Sequence, residues 1–330
     1  MKFPVKVRSL DGIDLEGRPL HLAIGMFDGV HLGHQSVIEA AVQSARRETG
    51  IAGVLTFQPH PSVLFRPENP TRLIMNAACK ARLFHALGAD IVIEQRFDPA
   101  FASISPEEFI PYLVERLPTL KSIYVGENWR FGKGRAGDVS LLVKEALRRS
   151  INVVSIPRLY RNGKAISSSR IRECLACGHL EEANSLLGYS YFSEGQVREG
   201  RQLGRKLGFP TLNLEWAGDL RPRFGVYAVR IAAADAVEAH GIPASGLSCP
   251  RVPAVANFGI RPTVTNESEA EPVLEVHLLG NSCPFGPGDR VFVEWLSFLR
   301  PENKFESTDA LKRQIARDCE DARRCLNEGD

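Results

Sequence analysis

The first half of the chain alternates two kinds of pattern, and this alternation restricts its fold more than any other feature. Short apolar runs rich in Ile, Val and Leu are each followed by a stretch with helical periodicity. Nearly continuous apolar runs are typical of parallel strands buried on both faces, and their alternation with helices predicts an open, doubly wound α/β sheet. The predicted strands are 20–24, 51–57, 90–94, 122–125 and 151–156.

Local signals mark the helix ends between these runs. Ser105-Pro106 combines a capping residue with a proline in the first turn, which predicts a helix start. Gly88 predicts a helix end, because glycine adopts the left-handed conformation of a C-terminal cap without strain. Two short helices are predicted at 168–176 and 180–187.

The pattern changes after Gly188, where the helical period disappears. Residues 190–305 hold short alternating runs separated by Gly and Pro, which predicts an all-β unit, a small closed barrel. A last amphipathic helix has one apolar face made of Leu311, Ile315, Cys319 and Ala322. We therefore expect an α/β domain at 1–187 and an all-β domain at 188–330.

Composition excludes several classes of protein. The 41 basic and 39 acidic residues give a formal net charge of +2, without the basic excess of proteins that act on nucleic acid or anionic membranes. No apolar run approaches the roughly 18–20 residues of a membrane span, and the N-terminus has no secretory apolar segment. Seven scattered cysteines favour reduced thiols. We expect a cytoplasmic protein without nucleic-acid or membrane partners.

A glycine-rich turn follows the first predicted strand, and a helix is predicted to start at His34 or Gln35. A helix N-terminus presents unpaired N–H groups and the positive end of its dipole to an anion. His31 and His34 flank a single glycine, so both imidazoles can reach the oxygens of one polyphosphate. Surface histidines without a ligand are the alternative, which their place at a strand–helix turn disfavours. The candidate phosphate-binding residues here are Gly25, Phe27, Asp28, His31, Gly33 and His34.

A second candidate phosphate site lies at the start of the helix predicted at 168–176. Ser167, Ser168 and Ser169 offer capping hydroxyls, and guanidinium groups bind phosphate through paired hydrogen bonds. Arg172 is the preferred arginine and Arg170 the weaker one, because the two point in different directions on a helix.

The all-β half opens with a loop at 195–213 that contains four glycines and four basic residues. Such a loop suits a backbone that cradles phosphates, although a flexible barrel loop is the alternative. Thr211 and Asn213 are two residues apart, so an extended chain places both on one face as a hard-oxygen site for Mg²⁺. The candidate ATP-binding residues of this loop are Gly200, Gly204, Arg205 and Gly208.

Several of these segments resemble motifs of known enzymes. The turn with His31 and His34 resembles the HxGH element of nucleotidyltransferases, and residues 166–172 resemble their ISSTxxR motif, with Ser169 in place of threonine. Residues 208–213 are similar to the GFPTAN element of riboflavin kinases, with Leu212 in place of alanine, and residues 255–263 are similar to their NxGxRPT segment. Together, over about residues 18–320, they resemble the prokaryotic bifunctional riboflavin kinase/FAD synthetase family.

The resemblance implies a fold and a set of functional residues. It implies a Rossmann-like nucleotidyltransferase domain followed by a riboflavin-kinase β-barrel with a closing α-helix. It implies that Glu275 is the catalytic base of the kinase, that His31, His34 and Arg172 act in adenylyl transfer, and that Thr211 and Asn213 bind Mg²⁺. The flavin-binding residues that it implies are His60, Pro61, Asn128, Arg130, Phe131 and Arg261.

The implied chemistry uses two molecules of ATP. The barrel would phosphorylate riboflavin to FMN, and the α/β domain would join AMP to FMN, which yields FAD and pyrophosphate. One rival is a monofunctional nucleotidyltransferase whose barrel only binds flavin; another is a non-enzymatic ATP or flavin sensor. The joint presence of Thr211, Asn213 and Glu275 opposes the first, and His31, His34 and Arg172 oppose the second.

Overall fold

The computed structural model describes residues 5–7, 9–200, 204, 207–235, 251–260, 272–280 and 283–327. The chain divides into two compact units, Met1–Ser167 and Ser168–Asp330.

The first unit is built on a six-stranded sheet in which every neighbouring pair of strands is parallel. The strands are β1 (Val5–Val7), β2 (Leu20–Ile24), β3 (Ile51–Gln58), β4 (Ile91–Arg96), β5 (Leu120–Gly126) and β6 (Asn152–Ile156). Their order is β1-β4-β3-β2-β5-β6. The predicted α/β sheet is confirmed, with β1 as an addition at one edge.

Helices connect these strands. They are α1 (Leu32–Arg47), α2 (Pro61–Phe65), α3 (Ala77–Ala86), α4 (Pro99–Ala102), α5 (Pro106–Arg116) and α6 (Val139–Leu147). A 3₁₀ turn at Lys133–Arg135 and a small hairpin of β7 (Tyr160–Arg161) and β8 (Lys164–Ala165) complete the unit. The predicted helix start is confirmed, because Ser105 caps α5 with a proline in its first turn.

The strand order positions the candidate site of this unit. The chain builds β2, β3 and β4 toward one edge and then returns to add β5 on the other side of β2. The order therefore reverses between β2 and β5, and ligands of open α/β sheets bind at the carboxyl ends of strands at such a point.

The second unit begins with two helices and continues as a closed antiparallel barrel. The helices are α7 (Ser168–Cys177) and α8 (Leu180–Leu187). The strands are β9 (Phe192–Arg198), β10 (Leu212–Glu215), β11 (Gly225–Ala233), β12 (Val252–Ile260), β13 (Pro272–Leu278) and β14 (Arg290–Arg300), and the last helix is α9 (Thr308–Asn327). The predicted small barrel with its closing helix is confirmed. The division between the units precedes α7, because α8 packs against β14; the domain boundary at 187–188 stays a prediction.

One face of α9 covers the barrel. Cys319, Ala322 and Leu326 pack there against buried side chains of β11 and β12. The strands beneath have a two-sided pattern: on β13, Leu274 and Val276 are buried, whereas Glu275 between them is only partly buried. The face of β13 that carries Glu275 is therefore the one on which a polar site can form.

Candidate active sites

The turn after β2 brings His31 and His34 together. His31 is the N-cap of α1, and its Nδ1 accepts a hydrogen bond from the backbone N–H of His34 at 3.3 Å. The two imidazole rings stack with their centroids 3.5 Å apart and their planes 18° apart. The helix begins at Leu32, so the predicted start at His34 or Gln35 is wrong. Because His31 captures a free N–H of the first turn, the helix extends further back than the apolar period indicates.

The glycines of this turn allow aromatic rings to pack closely. A Cβ atom at Gly33 would approach the His31 ring to 3.3 Å, and one at Gly25 would approach the Phe27 ring to 2.9 Å. Phe27 has a φ of 50° and packs edge-on against His34, with the ring centroids 5.3 Å apart. The close packing of these rings therefore fixes the orientation of both imidazoles.

Asp28 lies in the same turn but faces inward. It is buried, and its two carboxylate oxygens accept the backbone N–H of Ile74 at 3.0 and 3.2 Å. This contact ties the turn to the segment before α3. An ATP-binding role for Asp28 stays a prediction, and a structural one is visible.

A lysine that the sequence analysis missed lies beneath the turn. Lys80 of α3 donates from Nζ to the carbonyl of Met26 and to the hydroxyl of Thr56, each at 3.1 Å. No motif marks this lysine, since its contacts join residues far apart in the chain.

A cavity of about 580 Å³ opens beyond the carboxyl ends of β3 and β5. All five flavin candidates of this unit line it, namely His60, Pro61, Asn128, Arg130 and Phe131. Six further aromatic residues line it, namely Phe57, Phe65, Phe97, Phe101, Phe109 and Trp129. Trp129 stacks on Phe131 with the ring centroids 4.8 Å apart and the planes 13° apart. An aromatic wall of this kind suits a flat, conjugated ligand.

Polar and positively charged groups surround that aromatic wall. Arg66, Arg130 and Arg135 line the cavity, which favours an anionic ligand. His60 caps α2 by accepting the N–H of Ser62 at 3.1 Å. Asn128, with its amide oxygen turned toward Arg158, accepts from Arg158 Nε at 2.6 Å. The arrangement combines a stacking surface with groups that bind a phosphate.

The first turn of α7 carries Ser168 and Ser169, with Ser167 immediately before it, and Arg172 lies one turn on. Arg170 donates to Glu182 of α8 at 2.5 Å, and this hydrogen bond lowers the pKa of Glu182. Arg170 therefore holds α7 to α8, and Arg172 stays the preferred phosphate-binding arginine as a prediction.

The barrel unit contains a second cavity, of about 560 Å³, between the barrel and α9. Gly204, Thr211, Asn213 and Glu275 all line it. The strand register explains why: Glu275 on β13 lies opposite Asn213 on β10 and opposite Asn257 on β12. Three polar side chains thus form one row across three neighbouring strands.

The residues around Thr211 and Asn213 fit a magnesium ion. A hydroxyl and an amide oxygen are hard ligands of the kind Mg²⁺ prefers. Two glycines leave the space for them: a Cβ atom at Gly204 would lie 3.2 Å from Thr211 Oγ1, and one at Gly200 would overlap the Asn213 amide. Gly208, before this segment, has a φ of 89°. Arg205 and Arg261 lie outside the described residues.

The sequence analysis also missed polar residues of the barrel cavity. His277 Nδ1 makes a 2.8 Å hydrogen bond with the carbonyl of Pro210, next to Thr211. Asn257 donates to Glu302 at 3.4 Å. The alternation of β13 was the available signal for His277, because it lies two residues beyond Glu275 on the same face.

Two other kinds of feature are absent from the parts of the chain that the structure describes. There, His, Cys, Asp and Glu form no group of three or more that could hold a metal ion. Nor does any helix of those parts combine the length and apolarity that crossing a membrane requires.

Comparisons with known proteins match both units. A family model described as FAD synthetase matches residues 15–170, and one described as riboflavin kinase matches residues 187–326. The bifunctional riboflavin kinase/FMN adenylyltransferase of Escherichia coli (strain K12) is 35% identical over 297 residues, which cover 90% of this chain and 90% of that protein. The protein of the same description from Bacillus subtilis (strain 168) is 35% identical over 304 residues, which cover 91% and 90%.

A solved structure matches nearly the full length of the chain. The crystal structure of a macrolide-efflux protein from Streptococcus pneumoniae superposes with a TM-score of 0.84 at 26% identity, covering 98% of this chain and 99% of that one.

Proposed function

The chain belongs to the family of bifunctional riboflavin kinase/FMN adenylyltransferases, and we propose that each of its two cavities performs one of the two reactions. The barrel cavity would phosphorylate riboflavin with ATP to FMN. The cavity of the α/β unit would bind FMN, whose phosphate attacks the α-phosphorus of a second ATP to give FAD and pyrophosphate.

In the barrel, Glu275 is the proposed catalytic base. It accepts the proton of the riboflavin 5′-hydroxyl as that oxygen attacks the γ-phosphorus. Thr211 and Asn213 would hold Mg²⁺, which would supply charge neutralisation at the phosphates. The register that sets Asn213 opposite Glu275 keeps the base next to the oxygens that would hold the metal ion. From the segments in which they lie, we assign ATP binding to Gly200, Gly204, Arg205 and Gly208, and flavin binding to Arg261.

In the α/β unit, the aromatic cavity is the proposed flavin site and the turn after β2 the proposed ATP site. The isoalloxazine ring would stack on the aromatic wall, and Arg130 with Asn128 would bind polar groups of FMN. His31, His34 and the N-terminus of α1 would bind the triphosphate. Arg172, on α7, is assigned to adenylyl transfer from its motif alone. No covalent enzyme intermediate is needed, because positioning and charge stabilisation suffice for this transfer.

The observation that carries the proposal is that residues from separate motifs line one cavity in each unit. Thr211, Asn213 and Glu275 meet in the barrel, and the loops after β3 and β5 meet in the α/β unit. A flavin-binding barrel without kinase activity would not need a base opposite the metal-binding residues. We also infer that the enzyme acts in the cytoplasm, which the free cysteines among the described residues favour.

The test incubates the full chain with riboflavin, ATP and Mg²⁺ and separates the flavins by chromatography. We expect FMN first and FAD second. Glu275→Gln should abolish FMN formation and keep the conversion of added FMN to FAD, whereas His31→Ala should do the reverse. The exposed residues Glu320 and His179 provide matched controls, and Glu320→Gln and His179→Ala should keep both activities. Loss of both activities in either active-site variant, with the protein folded, would show that the assignment of two sites is wrong.

A further inference from the structure

The turn that carries the two histidines rests on a buried lysine. Lys80 is only 5% exposed, and its ammonium donates to the Met26 carbonyl and the Thr56 hydroxyl, each at 3.1 Å. The Thr56 hydroxyl itself donates to the Met26 carbonyl at 3.1 Å. The carbonyl of Met26 therefore accepts two hydrogen bonds, one from a buried cation and one from a strand residue that the same cation contacts.

A second set of contacts fixes α3, the helix that carries Lys80, to the same turn. Asn76 caps α3 by accepting the N–H of Cys79 at 2.8 Å. Just before this cap, the N–H of Ile74 donates to Asp28. Gly29 has a φ of 78°, and a Cβ atom there would come within 2.8 Å of the Ile74 side chain. The helix thus holds the turn at two places, through Asp28 and through Met26.

Met26 belongs to both proposed ligand sites of this unit. Its side chain lines the aromatic cavity. The next residue, Phe27, has a φ of 50° and packs its ring against His34. The Met26–Phe27 peptide therefore joins the wall of the flavin site to the histidines, and a rotation of this peptide would move both.

Burying an ammonium group is costly unless it is hydrogen-bonded, and a residue needed only for packing would be apolar. Here the ammonium donates to the Met26 carbonyl and to the Thr56 hydroxyl, and the orientation of that carbonyl is coupled to the conformation of Phe27 through their shared peptide.

We propose that Lys80 is a positioning residue for adenylyl transfer. Through the Met26 carbonyl and Thr56 it fixes the peptide that connects the flavin cavity to Phe27 and the two histidines. The inference rests on the proposed function of this unit, since it assumes that FMN and ATP bind there.

The experiment measures the conversion of FMN to FAD by the full chain, at varied FMN and ATP, for four variants. Lys80→Met keeps the length of the side chain and removes its charge. Thr56→Val removes the hydroxyl that links Lys80 to Met26, and the double variant tests whether the two act through one contact. Lys144→Met is the matched control, because Lys144 is exposed on α6.

We expect Lys80→Met to lower kcat for FAD formation by about tenfold to a hundredfold, as small misplacements of reacting groups do, with KM for ATP and FMN changed by less than about threefold. Thr56→Val should lower kcat by a smaller factor. The double variant should be slower than Lys80→Met by less than the factor that Thr56→Val causes alone, since both side chains act on the same Met26 carbonyl and contact each other. Lys144→Met should behave as wild type. Riboflavin phosphorylation, which uses the other unit, should stay within about twofold in all four, as expected for distant and independent sites.

The other possible outcomes contradict either the inference about Lys80 or the proposed function of the unit. A wild-type kcat in Lys80→Met would overturn the inference, and so would multiplicative effects in the double variant. If Lys80→Met loses the circular-dichroism signal of the folded α/β unit, Thr56→Val alone decides, and a wild-type kcat in that variant is then contrary to the inference. His31→Ala serves as the reference: if it still converts FMN to FAD, the proposed function of the unit fails, whatever Lys80 does.

Discussion

Single side chains in the barrel cavity are held at positions that leave little space around them. A Cβ atom at Gly200 would overlap the amide of Asn213, which is itself buried opposite Glu275. This close approach explains why residue 200 is a glycine. The composition of its loop alone had suggested a role in ATP binding. Because Gly200 has no side chain, Asn213 can occupy the cavity wall.

Gly200→Ala should therefore displace Asn213 and weaken riboflavin phosphorylation, by about tenfold or more in kcat/KM, because the displaced amide belongs to the proposed metal site. FMN adenylylation should be unaffected. Gly280→Ala is the matched control, since a Cβ atom at Gly280 would meet open space. Steady-state kinetics of both reactions on the same preparations make the comparison, and a wild-type kinase rate in Gly200→Ala would show that Asn213 relaxes without consequence.

Residues within a motif could be singled out from the sequence, and their roles stay predictions, whereas residues that are recognised by contacts between distant parts of the chain could not. Thr211, Asn213 and Glu275 could be placed from spacing and resemblance, and all three line one cavity. Lys80 was missed because its partner Met26 is more than fifty residues away in the chain, whereas His277 was missed although the alternation of β13 places it on the same face as Glu275. The aromatic wall of the flavin cavity was missed for the same reason as Lys80, since its rings come from separate loops that only the folded sheet brings together.

Among the secondary-structure elements, those with long periodic patterns were predicted and the short ones were not. β1 has three residues and α2 has five, too few to establish a period. β1 exists because it pairs with β4, a contact with no local signal. The start of α1 was misplaced because a histidine cap lies outside the usual set of capping residues. Tertiary pairing and unusual caps therefore account for the differences.

The start of α5 illustrates a cap whose strength depends on pH. The Ser105 hydroxyl accepts from the N–H of Glu108, and the Glu108 carboxylate accepts from the Ser105 hydroxyl and N–H. The side-chain hydrogen bond from Ser105, and then the backbone one, lower the pKa of Glu108 below its usual 4.5. A lowered pKa in the folded state means that this stabilisation is present above about pH 4.5 and is lost as the pH falls through the folded-state value.

Ser105→Ala should lower the free energy of unfolding by about 1 kcal/mol at pH 7, as the loss of an N-cap serine does. The difference in the free energy of unfolding between Ser105→Ala and wild type should narrow below about pH 4.5, because Glu108 then becomes protonated in both proteins. Wild type then keeps only the hydrogen bond from the Glu108 N–H to the Ser105 hydroxyl. Urea unfolding at several pH values measures this. Ser140→Ala, exposed in the first turn of α6, is the control and should stay within about 0.5 kcal/mol. A difference that is the same at pH 7 and pH 3.5 would contradict the role of the Glu108 carboxylate.

In the whole molecule, each unit has its own cavity and its own proposed reaction, and FMN is the product of one and the substrate of the other. FMN released from the barrel of one molecule should therefore serve the α/β unit of another. A mixture of Glu275→Gln and His31→Ala, each unable to make FAD from riboflavin alone, should make FAD together.

FAD formation in this mixture should show a lag that lengthens as the protein is diluted, since FMN must first accumulate in solution to a level near the KM of the second reaction. Stopped samples separated by chromatography would follow riboflavin, FMN and FAD with time. Wild type at half the total concentration is the control, because it then supplies the same number of active sites of each kind as an equal mixture: an equal lag means that FMN always leaves the enzyme between the steps, and a shorter lag means that part of it is retained. A mixture that forms FMN but no FAD, although Glu275→Gln alone converts added FMN, would contradict free release. The FMN made by His31→Ala would then have to stay bound to the barrel that produced it.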